Sequence, residues 1–213
     1  SRLRVCLFVF FNLLILPVLL AIYLFGMLSF TVSRLSDQFL RINVDGISVE
    51  SRAYEYNGSL VLLLPMIHIA PEGFYDRMVE SLPEERTVIL VDGATDQQAS
   101  LSGGMGYQEF AESVGMEAQD NAKIVAGRDQ RRCDVDVSEF SPETVAFLES
   151  SAELFRAWPD GNRTEVILKY LLLPEPDMEI LMADLLTLRN ERVMESISDC
   201  SSDYDVIVVP WGA

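Results

Sequence analysis

His68 is the one histidine among 213 residues, and it stands at the end of an apolar run in "LVLLLPMIHIAPEGFY". Asp92 and Asp96 follow a second run in "TVILVDGATD", and Gly212 follows a third in "VIVVPWGA". An imidazole serves as a base or a ligand near neutral pH, and carboxylates beside it widen that chemistry. In an open α/β sheet, ligands bind beyond the carboxyl ends of the strands. If the three runs are parallel strands, His68, Asp92, Asp96 and Gly212 converge on one crevice. Each has a plainer explanation when taken alone. A strand-end histidine is commonly structural, and Asp-Gly is a common turn pair.

The elements that must position these residues are legible. "LVLLL" is a continuous apolar run, which suits a strand buried on both faces. Ahead of it, Ile47, Val49, Tyr54 and Tyr56 alternate as strand residues do, and Asn57-Gly58 signals a hairpin. "PEGFYDRMVESLP" predicts a helix with Phe74, Met78 and Leu82 at helical spacing, ended by Pro83. Strand, helix and strand then follow one another as a βαβ unit with a parallel pair. Ser141 is an N-cap and Pro142 an N1 residue for a helix through "TVAFLESSAELFRAW". "DMEILMADLLTLRNERVMESISDC" predicts a long amphipathic helix. The fold class expected is α/β: a central, mostly parallel sheet with flanking helices, preceded by one N-terminal transmembrane helix.

That first helix comes from a run without charge, Val5 to Val32. As a helix it spans roughly 42 Å, more than the roughly 30 Å hydrocarbon core of a bilayer. A signal peptide would have a shorter apolar region and a small-residue cleavage site, and "GMLSFTVSRL" offers none that fits. Pro17 is expected to bend this helix without ending it. Residues 1–34 therefore read as anchor and flank, with lipid contact through residues 5–32, and residues 35–213 read as the α/β domain. Two arginines lie near each end of the run, and the orientation adopted places the N-terminus in the cytoplasm and the domain outside.

Sixteen Lys and Arg against 33 Asp and Glu give a net charge of -17. Nucleic acid is excluded as a partner, because phosphate binding needs a basic surface, and broad contact with anionic headgroups is disfavoured too. Arg128, Arg131 and Arg132 form the one basic cluster of the soluble part and read as a solvated loop. Asp134, Asp136 and Glu139 read as a solvated strand edge, since they lack the glycine and terminal glutamate of a calcium loop. Gly103, Gly104 and Gly106 are not a phosphate loop, because no strand leads in and no Gly-Lys-Ser/Thr closes it. Cys6 sits in the anchor; Cys133 and Cys200 could pair in an oxidising compartment, but their spacing does not require it.

Four pieces in order, "PMIHIAPEGFYDRMVESL", "VILVDGATD", "RNERVMESI" and "PWGA", resemble the TraB/PrgY and GumN-like group, which is related to the ChaN-like and Tiki families. The similarity covers roughly Tyr54 to Ala213. The group's pattern is a strand ending Gly-x-x-His, a second strand carrying an acidic residue, an Arg-Asn pair on a helix, and a last strand ending in a second Gly-x-x-His. On this resemblance His68 matches the first histidine, Asp92 the acidic residue, Arg189 and Asn190 the pair, and Gly212 the last glycine. The resemblance implies a divalent metal held by His68 and Asp92, with Asp92, Arg189 and Asn190 as catalytic residues of a peptidase-like hydrolase. The chain departs from the pattern at Pro65, where the group has glycine, and at Asp92, where it usually has the longer glutamate. A second histidine would fall two residues beyond Ala213, so either the chain continues or the site is lost. Two functions follow: a metal-dependent hydrolase, or an accessory or regulatory subunit of a membrane complex with a degenerate site. The membrane expected is the bacterial inner membrane, with other membrane-protein subunits as partners.

Overall fold

The computed structural model describes residues 2, 4, 8, 10–36, 38–84, 86–101, 104–125, 127–159, 161, 163–172 and 175–212. Cys6, Gly103 and Ala213 lie outside them. The chain divides into two compact units, Ser1–Ser51 and Arg52–Ala213.

In the first unit a π-helical turn, Phe11–Ile15, runs into α1, Leu16–Leu35. Pro17 lies in the first turn of α1. It cannot donate to the carbonyl four residues back, and the wider turn ahead of it accommodates that loss. The helix continues, as the sequence leads one to expect. Phe11–Leu35 has a mean hydropathy of 2.5 and no buried residue in its most apolar window. Two short antiparallel strands follow, β1 (Leu40–Asn43) and β2 (Gly46–Val49). The Ser29 hydroxyl donates to the Ile42 carbonyl at 2.7 Å, which ties this hairpin to α1 within the first unit.

The second unit is mixed α/β. In chain order it contains β3 (Arg52–Tyr56), β4 (Ser59–Met66), β5 (Ile69–Ala70), α2 (Phe74–Glu80) and β6 (Thr87–Val91). Next come α3 (Tyr107–Ser113), β7 (Glu117–Ala118), α4 (Asn121–Val125), β8 (Asp129–Arg132) and α5 (Pro142–Ala157). Then α6 (Arg163–Leu171), α7 (Met178–Met182), α8 (Arg189–Cys200) and β9 (Val206–Gly212) complete it. A five-stranded sheet has the order β3-β4-β9-β6-β8, parallel except for β3. The β3–β4 hairpin turns at Asn57 and Gly58, both at positive φ, as a two-residue turn of this twist requires.

Successive residues of the central strands serve opposite faces. Val88, Leu90, Ile207 and Val209 pack with Val61 against Val193, Ile197 and Cys200 of α8. Ile89 and Val208 pack with Leu64 and Met66 against Tyr75 of α2 and Ile124 of α4. Each such side chain contributes about 1.5–3 kcal/mol by leaving water. All five residues of β6 are buried, so this strand has helices on both faces. Val135, Val137 and Phe140 form a third cluster under Leu185 and Leu188.

Three local features differ from the sequence expectation. α2 begins at Phe74 and not at Pro71, because Gly73 turns the chain with φ at 73°. "DQRR" is an exposed edge strand, β8, where a loop was expected; its charged side chains protect an open sheet edge. The helix over 178–200 contains a π segment, Ala183–Leu188, whose wider turns shift the phase between α7 and α8. That shift lets Leu185 and Leu188 face the third cluster while Val193 and Ile197 face the first.

Candidate functional site

The site is built where strand pairing runs out. β9 pairs with β6 only as far as Val208, and with β4 as far as Gly212. β3 pairs with β4 only as far as Leu63, so Pro65 lies on a stretch with one strand neighbour. Beyond Val208, β9 and β6 separate at their carboxyl ends. Asp92 follows β6 into that gap, Gly212 ends β9 beside it, and His68 follows β4.

Asp92 is 2% exposed. One of its oxygens, Oδ1, accepts from Arg189 Nη2 at 2.6 Å, and the other, Oδ2, accepts from the Gly212 backbone N–H at 2.8 Å. Asp134, from the loop after β8, engages the same guanidinium. It accepts from Arg189 Nε at 2.9 Å and from Nη2 at 2.7 Å, and also from the backbone N–H groups of Gly93 and Val135. Arg189 thus bridges two carboxylates, one of them bidentately. Its cation also lies 4.9 Å from the ring centre of Trp211, whose indole N–H donates to Asn190 Oδ1 at 3.1 Å.

Burial pushes the Asp92 carboxyl above the usual range and outweighs the lowering from Arg189 and the Gly212 N–H. Asp134 is also pushed up by burial, but the Arg189 hydrogen bonds and charge outweigh that and hold it below the usual range. Arg189 is pushed down by burial, yet the two carboxylates win and raise it. Burial also pushes the Cys133 thiol up to about 12, with the Asp134 and Asp92 charges adding to the rise. Cys133 and Cys200 are both buried and free, so no disulfide joins them.

His68 is the exposed side of the site. Tyr75, fully buried in α2, donates its hydroxyl to the Ile67 carbonyl at 2.6 Å and so fixes the strand end next to His68. Burial, with Glu117 adding, pushes that phenol up to about 12, which keeps it a donor. The imidazole stacks on Tyr107 with ring centres 4.7 Å apart, and its Nδ1 meets Gln119 Oε1 at 3.1 Å. A ladder of rings continues from Tyr107 to Phe155, Phe110 and Trp158. A Cβ placed on Gly212 would lie 3.2 Å from Asp92 Oδ2 and 3.7 Å from His68 Nε2, so the glycine keeps the space between the two open.

His68, Asp92, Arg189, Asn190 and Gly212 are therefore brought to one sheet edge. Asp96 is not: its carboxylate accepts from the backbone N–H groups of Ser100 and Leu101 in its own loop. Asp134, Gln119, Asn121 and Tyr107 belong to the site and were not singled out for it by sequence. Asp134 comes two residues after the strand "DQRR", with Cys133 between, and that strand has no apolar residue to betray it.

The Asp92 and Asp134 carboxylates are already engaged by N–H donors. Each Asp92 oxygen accepts one, and Asp134 accepts four hydrogen bonds. Among the described residues no group of three His, Cys, Asp or Glu side chains could hold a metal ion. No family model, curated protein or solved structure matches the chain.

Proposed function

We propose that the chain is a single-pass membrane protein carrying a TraB-like α/β domain, whose sheet-edge site has been turned from metal binding to an internal ion triad. Its role is that of an accessory or regulatory subunit of a membrane complex. The observation that carries this reading is Arg189, which bridges Asp92 and Asp134 and occupies the acidic residue that the resemblance assigns to a metal. The helix Phe11–Leu35 supports the anchor, since 25 apolar-rich residues span roughly 37 Å, enough to cross a bilayer. In this reading residues 5–32 lie in the bacterial inner membrane and the domain faces the non-cytoplasmic side. The net charge of -17 favours other membrane-protein subunits as partners over nucleic acid.

One observation favours a second reading, a metal-dependent hydrolase using His68 and Asp92. His68 is exposed, held on two sides, and faces the open space at Gly212. A histidine so held can take a proton from water or a hydroxyl.

The protein purified in detergent separates these readings. Mn²⁺ or Zn²⁺ is expected to leave its melting temperature unchanged, whereas an ion at 100 times its Kd would add about 2.7 kcal/mol. One ion per chain, lost in both His68→Ala and Asp92→Asn, would overturn the accessory reading. Deletion of residues 1–35 is expected to move the protein from the membrane to the soluble fraction. Retention on the membrane would contradict the anchor.

A further inference from the structure

The carbonyl of Asp92 can only accept a hydrogen bond. Asn121 reaches it with Nδ2 at 3.0 Å, and this contact fixes which way the Asn121 amide points. Its Oδ1 therefore faces Gln119, which must present its own donor, Nε2, at 2.8 Å. That leaves Gln119 Oε1 facing His68 Nδ1 at 3.1 Å. An amide oxygen cannot donate, so Nδ1 carries the hydrogen. In the neutral ring the lone pair is then on Nε2, the reverse of the tautomer that a free imidazole side chain prefers.

The geometry points to Gln119 and Asn121 as positioning residues that hold His68 as the Nδ1–H tautomer and leave Nε2 bare beside Gly212, as an acceptor for a water or ligand hydroxyl. The rest of the surroundings agree. The Gln119 backbone N–H donates to the His68 carbonyl at 2.8 Å, so the two residues are joined at main chain and side chain alike. Tyr107 covers one ring face. The relay starts from the main chain at the end of β6, at the residue whose side chain holds Arg189. One backbone position therefore orients both the ion triad and the imidazole. This inference goes beyond the accessory reading and does not depend on it, because a tautomer can be read without any activity, metal or partner.

The single histidine makes the test specific. The full chain, labelled with ¹⁵N in the imidazole, purified without a histidine tag and held in detergent, gives one pair of ring nitrogen signals. Recorded on the neutral ring at alkaline pH, Nδ1 is expected at the protonated position and Nε2 at the unprotonated one. Gln119→Leu and Asn121→Ala are expected to shift the population towards Nε2–H, while Gln119→Glu, which still accepts from Nδ1, is expected to retain the native tautomer. An Nε2–H ring or an even mixture in the unmodified protein overturns the inference without any variant being needed. So does an unchanged tautomer in folded Gln119→Leu and Asn121→Ala. Failure here would leave the metal titration untouched, and a metal-binding result would leave the relay to be judged on its own spectrum.

Discussion

The two sides of the crevice solve opposite problems with the same sheet edge. On one side Asp92 and Asp134, each side chain no more than 2% exposed, share the Arg189 cation. On the other side His68 is exposed and is oriented by neutral amides and a stacked ring. A buried carboxylate needs a partner, because removing its water costs several kcal/mol. An imidazole can be neutral, so it can be left at the surface provided its orientation is set. One side is closed to ligands and the other is open. The acidic side is occupied from within by Arg189, and the histidine side presents an unused nitrogen towards Gly212.

The largest break of this contrast is Arg189→Met, which strips the acidic side of its cation. It is expected to cost about 3–5 kcal/mol in urea unfolding, because two carboxylates are left buried without their cation. Next comes Gly212→Ala, which places a methyl group 3.2 Å from Asp92 Oδ2, between the two sides. It is expected to cost about 1–3 kcal/mol and to reduce access to His68.

Acid sharpens the contrast within the acidic side itself. Asp134 is held below the usual carboxylate range, so its stabilising contribution is complete above its unfolded pKa and is lost as pH falls through its folded value. Asp92 is raised, so its ionised form costs stability near neutral pH, and that cost is relieved as pH falls through its folded value. The stability gap between the unmodified protein and Asp134→Asn is therefore expected to shrink on acidification, and the gap to Asp92→Asn is expected to shift in the protein's favour. Unfolding measured across pH for both variants checks the signs. The smallest effect is expected from Asn190→Ala. Asn190 is exposed and its polar contact is with Trp211, so about 0.5–1.5 kcal/mol is at stake.

Much of this edge was legible in the sequence, for a physical reason. β4, β6 and β9 are apolar runs that end abruptly, and the strand-end rule then brings His68, Asp92 and Gly212 together. Ser141 caps α5 and accepts from Thr144 N–H as its spacing implies. The parts that were not legible depend on side chains that only the packed fold brings near. Asp134 sits after an edge strand of four charged or polar residues, which has no hydrophobic signature. Gln119 and Asn121 follow a two-residue strand, β7, too short to announce itself. Their roles come from pairing with β5 and with the end of β6, which are contacts distant in sequence.

Arg189 belongs to Asp92 and Asp134. A double-mutant cycle joining Asp92→Asn and Arg189→Met, read by urea unfolding of the full chain in detergent, tests it most directly. A coupling of about 1.5–3 kcal/mol, with the double variant less damaged than the two single changes add up to, is the expected result. Additivity within about 0.5 kcal/mol would mean that the two residues act independently, and the closed acidic side would no longer stand.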